Sequence, residues 1–176
     1  MNLPNLLSFF RLFVTVFFVL LVAYERYRLA LLLFVLQALS DLLDGFFARR
    51  MGTKTSLGAY LDPLADKVML ASSYVVLYFQ QIIPFWLMAV VLLRDLVISL
   101  GFLILLKRGL TMNPVPSFVS KATTVLQMLT IVYVLGFTDG RVALFFFYPA
   151  TAILTAVSGF QYVLLGWAVF LRKEIV

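Results

Sequence analysis

Four carboxylates stand at helical spacing inside apolar sequence. Asp41 and Asp44 are three residues apart, Asp62 and Asp66 four apart, all within DLLDGFFARRMGTKTSLGAYLDPLAD at 41–66. Either spacing puts a pair on one face of a helix, and two helices joined by a short loop are antiparallel neighbours that can bring those faces together. In a bilayer each buried Asp costs roughly 2.5 to 3.5 kcal/mol, so four without compensation approach about 10 kcal/mol, less near the interface. The chain has no His and no Cys, which removes imidazole and thiolate chemistry and leaves Asp, Glu, Lys, Arg, Ser, Thr and Tyr. Converging carboxylates without nitrogen or sulfur ligands suit hard divalent cations such as Mg²⁺ or Mn²⁺. Two such ions can clamp a diphosphate and neutralise charge at an attacked phosphorus, and a carboxylate left partly free can take a proton from an alcohol. The plainer alternative is that the four Asp residues pair with Arg49, Arg50 and Lys67 and cap helices at the interface.

The elements that must position these groups are set by composition. The chain has 176 residues, 64% of them hydrophobic and 12% charged, with a mean hydropathy of +1.07. Such a chain cannot hide its apolar side chains in one soluble core, and it reads as an all-α integral membrane protein. Six spans of about 20 residues fill roughly two thirds of it, which leaves one domain, 1–176, with short loops. The net charge of +6 sits mostly in those loops, which points to anionic lipid headgroups and not to nucleic acid.

Taken in order, the apolar runs predict a short N-terminal interfacial segment to about Phe10 and a first span to about Tyr24. A second span covers Leu29–Phe47, a third about Tyr60–Phe79 and a fourth from Pro84 to about Leu106. A fifth covers about Phe118–Phe137 and a sixth about Val142–Phe170. MGTKTSLG, with Gly52 and Gly58, and TDGR at 138–141 have turn chemistry. Pro149 and Gly159 mark a place where the sixth helix can bend, or pack closely. Eight Lys and Arg (Arg49, Arg50, Lys54, Lys107, Arg108, Lys121, Arg172, Lys173) fall on one side against three (Arg26, Arg28, Arg141) on the other. The positive-inside rule then puts both termini and the Asp-rich loop in the cytoplasm. Gly45 and Ala48 lie on or beside the Asp41/Asp44 face, where small side chains admit a ligand or a second helix.

Asp41, Asp44, Gly45, Ala48, Arg49, Gly58, Asp62 and Asp66 reproduce without a gap the pattern DxxDGxxARx8GxxxDxxxD, and in this the chain resembles the CDP-alcohol phosphotransferases. The resemblance extends to the six-span layout. It implies a homodimeric membrane enzyme, in a bacterial cytoplasmic membrane, that moves a phosphatidyl group from CDP-diacylglycerol to an alcohol and releases CMP. By the same resemblance Asp41, Asp44, Asp62 and Asp66 hold two Mg²⁺ or Mn²⁺ ions and Asp66 is the general base. Gly45, Ala48, Arg49 and Gly58 belong to the nucleotide site, which Asn5 in the PNLL segment also reaches unless it caps the first helix.

LPNLLSFFR, DPLADK, the Arg94–Asp95 pair and SFVSKATTVLQM are similar to the branch that makes phosphatidylglycerophosphate and cardiolipin. A glycerol 3-phosphate site must hold a phosphate dianion, which favours several converging cations. Many phosphatidylglycerophosphate synthases resemble GKxKT here, whereas this chain has Ser120, Lys121, Ala122, Thr123, Thr124. With one Lys fewer, the sequence favours phosphatidylglycerol as acceptor over glycerol 3-phosphate, with Arg94 and Lys121 as acceptor-binding residues. Their alternatives are an Arg94–Asp95 ion pair inside the bundle and a Lys121 that snorkels to the interface. Arg11 is left open between the same cavity and lipid phosphates. A competing class, a small ion transporter, needs polar groups through the whole membrane depth, and the Asp residues gather at one end.

Overall fold

The computed structural model describes residues 3–51, 56–107, 117–137 and 140–173, of which 3–9, 41–51, 56–64, 102, 105–107 and 168–173 by their place in a helix. The elements are α1 (Leu3–Ala23), α2 (Tyr27–Met51), α3 (Ser56–Phe79), α4 (Phe85–Lys107), α5 (Phe118–Gly136), α6 (Gly140–Val142), a π-helical turn (Ala143–Phe147) and α7 (Tyr148–Lys173). Among the described residues there is no strand.

Helices occupy all six expected places, with four differences from the sequence-based limits. α1 is one continuous helix, because Pro4 lies in its first turn, where a missing N–H goes unneeded, and no breaker follows. There is therefore no separate interfacial helix. α3 begins at Ser56, so Gly58 is helical and not in the loop. In TDGR, Gly140 and Arg141 are already helical. Ahead of Pro149, which lacks an N–H to continue an α-helical ladder, Ala143–Phe147 form a π-helical turn.

Two helices, Phe118–Gly136 and Gly140–Trp167, are long and apolar enough to cross a membrane, and Phe10–Ala23 and Tyr27–Ser40 are shorter apolar helices. Burial differs from that of a water-soluble protein. Gln127, Thr130, Thr151, Thr155 and Ser158 are buried, while Phe13, Leu32, Leu96, Phe145, Phe146 and Leu164 are exposed. Apolar side chains outside and hydrogen-bonded polar ones inside is the arrangement that hydrocarbon solvent favours.

The described residues gather into two compact units, 1–83 with 131–140 and 84–130 with 141–176. In the first, α1 packs against both α2 and α3 around Phe18, Val22, Phe34, Met69, Tyr74 and Leu77. The Phe18 and Phe34 rings lie 5.6 Å apart. Gln80 Nε2 donates to the Val22 and Ala23 carbonyls, both at 2.8 Å. That bond and the Arg11–Asp66 contact have similar sequence offsets, so α1 and α3 run parallel.

α1 and α3 end alike, on a residue in the left-handed conformation, Glu25 (φ 59°) and Gln81 (φ 57°). Arg26 N–H reaches Leu21 O and Glu25 N–H reaches Val22 O; Ile82 and Gln81 repeat this pattern on Leu77 and Tyr78. These paired bonds satisfy helix-end carbonyls that hydrocarbon would leave unpaired.

In the second unit α4 packs against α7, and hydrogen bonds join α5 to α7. Thr130 Oγ1 and Thr151 Oγ1 are 2.7 Å apart, Gln127 Nε2 donates to Thr155 Oγ1 at 3.1 Å, and Thr123 Oγ1 donates to Leu154 O at 3.1 Å. Positions 123, 127 and 130 face 154, 155 and 151 at helical spacing, which makes a polar seam between the two helices.

Candidate functional site

In the first unit, Asp41, Asp44, Gly45, Ala48 and Arg49 fall on the last turns of α2, and Gly58, Asp62 and Asp66 on the first half of α3, with Asn5 in the first turn of α1. Except for Asp66, these side chains lie outside the described residues. Among the described side chains, which do not include those of Asp41, Asp44 and Asp62, no three potential ligands gather around one point. The donor set is all carboxylate, in a chain without His or Cys. Such a set fits Mg²⁺ or Mn²⁺ and does not fit a zinc or copper centre.

Asp66 is the carboxylate whose partner is visible. Arg11 Nη1 donates to its Oδ1 as an ion pair. The Arg11 side chain is 6% exposed and that of Asp66 37% exposed, so the cation lies inside the helices and the carboxylate lies at the edge. Arg11 is itself gripped: its carbonyl accepts from Thr15 Oγ1 at 2.8 Å and from Gln37 Nε2 at 2.9 Å. The sequence left Arg11 between the acceptor cavity and lipid phosphates; its observed partner is Asp66. Gln37 and Thr15 were missed. The available signal was the position of Gln37, one helical turn before Asp41 on an apolar helix.

The second unit holds the two acceptor candidates. Arg94 is buried. Its Nη1 donates to Asp95 Oδ1 at 2.7 Å, and its Nη2 donates to Ser120 Oγ at 2.7 Å and to Ser158 Oγ at 3.1 Å. Its Nε is buried with no partner among the described residues. This is the ion pair within the helices that the sequence held as the alternative. Gly159 adjoins it: a Cβ there would lie 3.5 Å from Arg94 Cγ, so Gly159 is a packing position against the arginine stem. Lys121 is exposed, while its neighbour Ser120 turns inward to Arg94.

Position 123 corrects the argument about the acceptor. Thr123 is fully buried, and its Oγ1 donates to Val119 O at 2.8 Å as well as to Leu154 O. It is part of the α5–α7 seam. The position on which the charge argument rested is thus an interior one, its hydroxyl bonded within the α5–α7 seam.

The profile of the CDP-alcohol phosphatidyltransferase family matches residues 1–171. The chain belongs to that family, and is thus a phospholipid-synthesis transferase. It is 36% identical over 175 residues to a CDP-diacylglycerol–glycerol-3-phosphate 3-phosphatidyltransferase of Sodalis glossinidius, an alignment that covers 92% of this chain and 93% of that one. An enzyme of the same name from Aquifex aeolicus is 39% identical over 137 residues, 76% of this chain and 75% of that one. A cardiolipin synthase (CMP-forming) of Rattus norvegicus is 32% identical over 182 residues, 92% of this chain but 60% of that longer one.

Proposed function

We propose that the chain transfers a phosphatidyl group from CDP-diacylglycerol to glycerol 3-phosphate, releasing CMP. The supporting observation is the end-to-end likeness to bacterial enzymes named for that acceptor, with over nine tenths of both chains aligned. The sequence-based preference for phosphatidylglycerol, drawn from the missing Lys at 123 and the likeness of PSFVSK to the eukaryotic-type cardiolipin synthases, gives way to that end-to-end likeness.

The acceptor's hydroxyl oxygen attacks the phosphorus that carries diacylglycerol, the bond from that phosphorus to the CMP oxygen breaks, and Asp66 takes the hydroxyl proton. Asp41, Asp44, Asp62 and Asp66 would hold two Mg²⁺ or Mn²⁺ ions, which when bound supply neutralising charge to the diphosphate. Asn5, Gly45, Ala48, Arg49 and Gly58 would line the cytidine nucleotide. Lys121, exposed and positive, is the stronger acceptor-binding residue, since Arg94 already serves Asp95, Ser120 and Ser158. The active end faces the cytoplasm, and the working form is a homodimer.

The deciding experiment gives the purified protein, in nanodiscs with Mg²⁺ or Mn²⁺, CDP-diacylglycerol and one acceptor at a time, and measures CMP. Release with glycerol 3-phosphate is expected. Release with phosphatidylglycerol alone turns the assignment to cardiolipin synthesis, a reading favoured by the likeness to the rat synthase, and no release with either rejects phosphatidyl transfer. Asp66→Asn should lower kcat about 100-fold or more while nucleotide binding persists.

A further inference from the structure

Arg11 is the only charged residue between Met1 and Tyr24, and it touches both helices that carry the acidic pattern. Its guanidinium reaches Asp66 on α3. Its carbonyl is held from α2 by Gln37 Nε2, which also lies 3.2 Å from Thr15 Oγ1. Gln37 Oε1 is buried with no partner among the described residues. The amide sets where α1 stands relative to α2, and the guanidinium sets the Asp66 carboxylate relative to α1. A cation inside an apolar helix is expensive, and where packing alone is at stake an apolar residue of similar volume does as well. With 37% of its side chain exposed, Asp66 is held without being covered.

We propose that Arg11 is the positioning residue of Asp66 in phosphatidyl transfer, with Gln37 and Thr15 fixing Arg11 through its own carbonyl. The inference rests on the phosphatidyl-transfer reading and adds to it a residue outside the 41–66 pattern. A carboxylate that must meet a hydroxyl proton at the moment of attack loses rate steeply when displaced by about an ångström, whereas substrate affinity depends little on it.

The test uses the full chain in nanodiscs. Arg11→Met is expected to lower kcat about 10- to 100-fold with KM for CDP-diacylglycerol within about threefold of the wild type. Arg11→Lys, which keeps the charge, should recover most of that loss, and Gln37→Leu should give a smaller fall in kcat. Unchanged kcat in Arg11→Met, or a loss carried by KM, overturns the proposal. A second measurement does not depend on turnover: melting temperatures of Arg11→Met, Asp66→Asn and the double variant, all in chelator. A double variant no less stable than the worse single supports the tie, and additive losses overturn it. If the wild type releases no CMP with either acceptor, it is the parent reading that fails, and the melting cycle still reports on the tie by itself.

Discussion

A guanidinium buried among helices needs a counter-charge and hydrogen-bond acceptors, and Arg94 finds both for its two terminal nitrogens. Asp95 supplies the charge, Ser120 and Ser158 supply hydroxyls from α5 and α7, and Gly159 leaves room for the stem. Removing one partner of such a pair strands the other charge, so Arg94→Leu should destabilise the protein by about 3 kcal/mol. Arg94→Leu combined with Asp95→Leu should lose less than Arg94→Leu alone, as read by thermal denaturation in one detergent. Gly159→Ala should be tolerated and can gain up to about 1 kcal/mol of helix propensity, because the added methyl meets Arg94 at ordinary contact distance. Gly159→Leu should cost stability by displacing the arginine.

At the scale of elements, the ends of α1 and α3 are their weak points. Glu25 and Gln81 hold a left-handed backbone that disfavours any side chain by roughly 1 to 2 kcal/mol. Gln81→Gly should therefore raise stability by about 1 kcal/mol, and its signature is a higher melting temperature at unchanged CMP release. The helix positions were legible in the sequence because hydrocarbon demands long apolar runs and tolerates few breaks. Start sites were less so: Gly58 sits among Gly, Thr and Ser, which locally favour a turn, yet the helix begins at Ser56. The carboxylate spacing was legible for the same local reason. What Arg11 does was not, because its partners stand 26 and 55 residues away, and one-dimensional pattern says nothing about which helix lies between which. That position 123 is interior was hidden for the same reason, since the sequence there shows only a Thr where a second Lys was looked for, and not the α7 carbonyl that it meets.

For the whole molecule, the exposed apolar side chains and the distribution of Lys and Arg bear on the proposed orientation. Exposed Phe, Leu and Val cover both units, and on the proposed six-span topology the excess of Lys and Arg falls on the side of both termini. A reporter fused to the C-terminus should behave as cytoplasmic: fluorescent for a protein that folds only there, inactive for a phosphatase that needs the periplasm. The opposite pattern would invert the proposed orientation of the acidic site.

The parallel pairing of α1 and α3 sets a limit on how this chain can change length. The two helices are pinned at two levels, Arg11 on Asp66 and the Val22 and Ala23 carbonyls on Gln80. One added residue in either helix between those levels shifts the rest by about 1.5 Å and turns it by about 100°, which breaks one pin. Insertions and deletions should therefore be admitted in the connecting segments and refused inside 11–22 and 66–80 unless both helices change together.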